Sequence, residues 1–297
     1  MTKIIHFSDT HNYGLKGKPY TSTLESIVQF SNGRNADHLV FTGDLLDGQK
    51  YGNSLSEEEK IAVENIPILL AAIQSGKPSE FMKKNFNAEL SDDQIKETIQ
   101  GIAPIYKNIA ETVMKESQNA YKSFNEILSK SNATVEAIVG NHDVKGMEQI
   151  VNSANFSPNE TFGRYFFQTG GPGGIPGELL YQNSPEEYAK HAVEKSPKVM
   201  LWHQGPYKTK WFNDIPDWTK HVNSKVHLYG HEHVGYHVKY DEKTKRLDVN
   251  VTTKDGYFAE IDMNDAGEAQ KVKIYKLESP TQKEDSTAKN NNYKNAA

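Results

Sequence analysis

Apolar residues along the chain follow two rhythms. Short runs flanked by glycine or polar clusters read as strands: Lys3 to Phe7, His38 to Thr42, Val135 to Val139, Lys198 to Trp202 and Val226 to Tyr229. Between the first two, Leu24, Ile27 and Val28 share one face of a helix over Ser22 to Ser31, so the chain opens as β–α–β with parallel strands. From residue 54 to 131 the rhythm becomes helical. Ser56 with Glu59 and Ser91 with Gln94 form capping boxes, and Ile95, Ile99, Ile102, Tyr106, Ile109, Val113, Tyr121, Phe124 and Leu128 make one stripe. Pro104 is expected to break or kink that run. Beyond Val226, Arg246 to Thr252, Gly256 to Asp262 and Gln270 to Leu277 read as half-buried antiparallel strands.

The expected organisation is one domain over residues 1–278, carrying a helical insertion or cap over 54–131, followed by a disordered polar tail over 279–297. The glycine- and proline-rich stretch 169–177 reads as a surface loop and matches no phosphate-cradling pattern.

Composition narrows the chemistry. At 297 residues the chain can bury roughly three quarters of its unfolded surface. A net charge of −5 gives no overall electrostatic footprint for nucleic acid. Cysteine is absent, so a metal would have to be held by His, Asp, Glu or Asn. The longest apolar stretch, Ile66 to Ile73, is far shorter than the roughly 20 residues of a membrane span. The expectation is a soluble, cytoplasmic protein with no membrane partner.

The ends of the five apolar runs carry the chemistry. They deliver Ser8-Asp9-Thr10-His11, Gly43-Asp44-Leu45-Leu46-Asp47, Gly140-Asn141-His142-Asp143, His203, and Gly230-His231-Glu232-His233. Ligand sites collect at the carboxyl edge of open α/β sheets, because loops from neighbouring strands converge there. Three of the five ligand types follow a glycine, which permits a sharp turn aiming a short side chain inward. One histidine after a strand means little, and His6, His38, His191, His221, His227 and His237 read as ordinary core or loop residues. The same coincidence at five strand ends points to a metal site.

In this order, DTH, GDLLD, GNHD, a lone histidine and GHEH resemble the blocks of the calcineurin-like metallophosphoesterase superfamily, from residue 4 to about 235. The resemblance implies an α/β fold: a four-layer α/β/β/α double β-sandwich, here with a helical insertion. It implies that Asp9, His11 and His233 bind one divalent metal, that Asn141, His203 and His231 bind another, and that Asp44 bridges them. His142 would be the general acid and Asp47 would orient its imidazole. The reaction implied is hydrolysis of a phosphate ester by a hydroxide bridging the two ions. Imidazole and carboxylate without thiolate independently suit Mn, Fe or Zn, with manganese the metal expected to serve in vitro.

The substrate is expected to be a phosphodiester or phosphomonoester of a small molecule or nucleotide. GDLLD is followed by Gly48-Gln49 instead of a phosphate-clamping arginine, which argues against a protein phosphatase. Of the three arginines, Arg164 is the one to test as a substrate contact, although an ordinary surface role is the commoner one for such a residue. The same motifs are similar to the nuclease subunit of the double-strand-break repair complex. The acidic balance makes nucleic acid possible but not favoured. A third reading is an idle phosphoesterase fold used as a protein-binding scaffold. Independently of that choice, the helical insertion is read either as a surface for an unknown protein partner or as a lid closing over the metals to set substrate size.

Overall fold

The computed structural model describes residues 1–11, 22–46, 55–140, 142–143, 154–155, 160–165, 197–204 and 223–277. Two sheets organise them. In chain order the strands are β1 (Thr2–Phe7), β2 (His38–Phe41), β3 (Thr134–Ala137), β4 (Ala154–Asn155), β5 (Phe162–Tyr165), β6 (Val199–Gln204), β7 (Val226–Gly230), β8 (Tyr236–Asp241), β9 (Arg246–Val251), β10 (Tyr257–Met263) and β11 (Ala269–Lys276). The first sheet runs β11-β10-β1-β2-β3-β4 and the second β5-β6-β7-β9-β8. As the opening pattern predicts, β1 and β2 pair in parallel, with Ile4 opposite His38 and Phe7 opposite Phe41.

The two-residue period of the strands sorts their apolar side chains between two cores. Ile4, Val40 and Ile138 face the second sheet and pack with Val199, Leu201, Val226, Leu228 and Val249. Ile5, Phe7, Leu39, Phe41, Val135 and Ala137 face the other way, against helices. There α1 (Ser22–Gly33) buries Leu24, Ile27 and Val28, the face expected from their spacing. Burial on both faces is why these strands are continuously apolar. The fold is thus mixed α/β, with a helical layer, a sheet and a second sheet. The fourth layer expected beyond the second sheet is not among the described residues.

Residues 57–128 are helical: α2 (Glu57–Gln74), α3 (Pro78–Phe86) and α4 (Asp92–Leu128). Both capping boxes form, with Ser56 N–H donating to Glu59 (2.8 Å) and Ser91 N–H donating to Gln94 (2.9 Å). The stripe on α4 serves two cores. Ile109, Val113, Tyr121, Phe124 and Leu128 join the core beneath the first sheet. Ile95 instead packs with Leu69, Ala72 and Met82 of α2 and α3, with Ile99 and Ile102 against them. Pro104 does not break the helix: α4 is continuous over 37 residues. Pro104 and Gln100, whose carbonyl lacks its usual N–H partner, both lie on the exposed face, where water can serve that carbonyl.

The C-terminal strands correct the sequence reading. Of the three strands expected there, β10 and β11 are antiparallel throughout. β9 lies parallel to β7 and antiparallel to β8, and five of its six residues are buried. No described helix is long and apolar enough to cross a membrane. The stretch 169–177 and the segment 279–297 lie outside the described residues.

Candidate metal centre

The carboxyl ends of β1, β2, β6 and β7 meet at one edge shared by the two sheets. Backbone bonds set the approach: Asp9 N–H donates to Gly43 O (2.9 Å) and His11 N–H to Asp44 O (3.2 Å). His231 N–H reaches both carboxylate oxygens of Asp9, at 2.9 and 2.8 Å. Asp9, His11, Asp44 and His231 all adopt positive φ, from 44° to 69°. A left-handed backbone at non-glycine residues is uncommon and persists where surroundings over-determine it, most often at functional sites.

Two donor groups result, sharing Asp44. Asp9, His11, Asp44 and His233 form one, and Asp44, His203 and His231 the other, with the candidate ligand atoms of each group within 4.8 Å of one another. Asp44 offers one oxygen to each. Its Oδ1 lies 3.3 Å from His203 Nε2, and its Oδ2 lies 3.8 Å from His11 Nε2. Oδ2 is buried and has no hydrogen-bond partner among the described residues, as a carboxylate oxygen reserved for a cation would be. Asn141 and Asp47 lie outside the described residues.

The imidazoles are preset for coordination. His11 Nδ1 contacts Leu46 O and His203 Nδ1 contacts Thr42 O, each at 2.8 Å. A carbonyl only accepts, so both Nδ1 atoms carry a proton and both Nε2 atoms face the donor groups. Electrostatics favour a filled site. Burial pushes His11 and His231 down, His231 to about 4, so both are neutral ligands at neutral pH. Burial also opposes a charge on His203, but the adjacent Asp44 carboxylate outweighs it and holds the imidazole up at about 9. An incoming cation takes the place of that proton. Burial opposes ionisation of Asp44 as well, yet His203 and His142 keep its carboxyl well below the usual range.

The glycines before the ligands act differently from the expected turns. Only Gly43 has positive φ (96°). At Gly140 and Gly230 the need is space: a Cβ at Gly140 would overlap Asp44 Oδ1 and stand 2.7 Å from His203 Cε1, and one at Gly230 would overlap Ser8 Oγ and Asp9 Oδ2. Gly140→Ala should therefore displace the shared carboxylate and weaken manganese binding by at least about tenfold, a cost of roughly 1.4 kcal/mol, read by isothermal titration. Wild-type affinity in that variant would show that the close approach is not needed.

Three further features differ from expectation or escaped it. His203 lies within β6, which runs to Gln204, not beyond the strand. Ser8 holds Asp9 by donating to Oδ2 (2.6 Å), and the Leu46 and Thr42 carbonyls fix the histidine tautomers. Backbone acceptors leave no trace in residue types, so only the serine before the aspartate was readable. Arg164 is not a surface residue. It is 1% exposed, paired with Glu136, and donates to the carbonyls of Ala137, Phe162 and Asn155.

Fold and site together define a mixed α/β protein with a paired His/Asp donor set suited to two divalent cations. The family model for the calcineurin-like phosphoesterases matches residues 2–72, which hold Asp9, His11 and Asp44, and the resemblance carried by the motifs is shown over that segment. A solved structure with 12% sequence identity aligns at a TM-score of 0.50, covering 93% of this chain and 99% of its own, a likeness of fold. Two others align at lower scores. Protein TT1561 of Thermus thermophilus has 12% identity, 93% and 98% coverage and a TM-score of 0.49. A dimetal phosphatase from Danio rerio has 10% identity, 93% and 95% coverage and a TM-score of 0.45. No curated protein matches the sequence.

Proposed function

We propose that this protein is a metal-dependent phosphoesterase acting on phosphodiesters or phosphomonoesters of small molecules or nucleotides. The observation that carries the reading is the Asp44 carboxylate: each oxygen faces a separate histidine-containing group, and one has no hydrogen-bond partner among the described residues. Asp9, His11 and His233 would hold one ion, and His203, His231 and Asn141 the other. Two divalent ions in such a site supply an acidified water as nucleophile and offset the charge of the ester. The donor set suits Mn, Fe or Zn, and manganese is the ion to try first.

His142 is the proposed general acid. Its amide donates to Asp44 Oδ1 (2.8 Å), and its ring meets that of His11 edge-on at 5.1 Å, which keeps it beside the donor set without entering it. Its Nδ1 is buried with no hydrogen-bond partner among the described residues, the atom an orienting carboxylate would meet. Asp47 is the residue proposed for that role, leaving Nε2 to hand a proton to the leaving oxygen. His142→Ala should keep its metal content and lose on the order of 10²–10⁴-fold in kcat on an ester with a poor leaving group. An unchanged rate on that ester would remove His142 from the mechanism.

The test of the function is elemental analysis of the purified chain combined with a substrate panel. Manganese-loaded protein should carry two ions per chain and hydrolyse a chromogenic mono- or diester, and competing DNA should not inhibit it. Preferential cleavage of single-stranded DNA would favour the nuclease. Folded protein that takes up no divalent ion would end the phosphoesterase reading.

A further inference from the structure

Asp143 closes the Gly140–Asp143 turn and is fully buried. Its carboxylate accepts three hydrogen bonds from backbone amides. Oδ2 takes the N–H of Asp44 (2.9 Å) and of Gly140 (2.8 Å), and Oδ1 takes the N–H of Leu45 (2.8 Å). Its own amide donates to Gly140 O (3.2 Å), which closes the turn. The loop after β2 answers across the gap, because Asp44 Oδ1 accepts the N–H of His142 (2.8 Å). Two carboxylates thus cross-brace two loops, each binding the backbone of the other.

The brace falls where the backbone needs holding. Asp44 has φ 61°, a conformation that a non-glycine residue keeps only when its surroundings impose it. Three amide N–H groups converge on the two oxygens of this one buried carboxyl, so breaking the brace would leave buried donors unpaired. Asp44 and Leu45 present their N–H groups in succession to the two oxygens of one carboxyl, which leaves the peptide between them little freedom to rotate.

We propose that Asp143 is a positioning residue for the candidate metal centre: its carboxyl group locks the backbone of Asp44 and of the turn bearing His142, so that the shared ligand and the proposed proton donor keep one spacing. What is positioned rests on the phosphoesterase reading, but the brace itself can be tested without turnover.

Asp143→Ala removes all three acceptor bonds. Asp143→Asn can keep the two at the Oδ2 position while turning an NH₂ toward the Leu45 N–H. The full chain is titrated with manganese and followed by electron paramagnetic resonance, with circular dichroism as the check on folding. Wild-type protein should bind two ions and show the spectrum of a coupled pair. The alanine variant should lose the coupled signal and bind manganese at least tenfold more weakly, with the asparagine variant between. A purely structural residue would lower thermal stability while leaving stoichiometry, coupling and affinity as in wild type, and that result in the alanine variant overturns the proposal. If the alanine variant does not fold, asparagine decides, and affinity within twofold of wild type overturns it. Wild-type protein that takes up no manganese overturns it as well. A coupled pair in a wild-type protein inactive on every ester sinks only the phosphoesterase reading, and the positioning role stands.

Discussion

Asp44→Ala protein is expected to bind neither cation and to hydrolyse no ester, while remaining folded. Asp44 is the residue common to both donor groups, so its loss removes a ligand from each. It also removes the carboxylate that holds His203 up at about 9 and the acceptor for the His142 amide. The loss of rate should exceed the roughly 10²–10³-fold that deleting one transition-state donor costs. Metal content by mass spectrometry and turnover on a chromogenic ester are read on one preparation. Two ions retained in the folded variant would show that the shared carboxylate does not bridge, and each group would then be a separate site.

Arg164→Ala should lower the stability of the metal-free protein by about 3–5 kcal/mol, the cost of removing one partner of a buried ion pair. The guanidinium is buried between the sheets, with Glu136 and Ala137 on β3 in the first and Phe162 on β5 in the second. Its loss leaves the Glu136 carboxylate, 2% exposed, without that partner, and strips three carbonyls of a donor. Urea unfolding reads the difference. Replacing Arg164 by Met and Glu136 by Leu together should recover part of it, since neither charge then stays buried alone. A single variant that unfolds at the wild-type midpoint would mean that the pair contributes nothing net.

The two results separate what local pattern reveals from what it hides. Arg164 looked like a surface residue because arginine usually is one, and nothing adjacent to it marks the glutamate 28 positions earlier as its partner. Pro104 looked like a helix breaker because its ring constrains the chain, but the exposure of its face decides whether the freed carbonyl can be hydrated. Strand β8, with Tyr236 and Tyr240 exposed at the edge of the second sheet, lacks the apolar run that identified β1 and β2. For β9, periodicity cannot tell a parallel neighbour from an antiparallel one.

The amino-acid order alone determined the features whose causes lie within a few residues. These are the five apolar runs, the two capping boxes, and the aspartates and histidines placed just at or after strand ends, because side-chain period and turn chemistry act over one turn or one strand. Only the tertiary structure decided which oxygen of Asp44 faces which group, which nitrogen of His11 and His203 faces the donor set, why Gly140 and Gly230 must lack a Cβ, and that Arg164 is buried. Each of these depends on contacts between segments far apart in the chain, up to 222 positions for Asp9 and His231, and on carbonyls that every residue type carries alike.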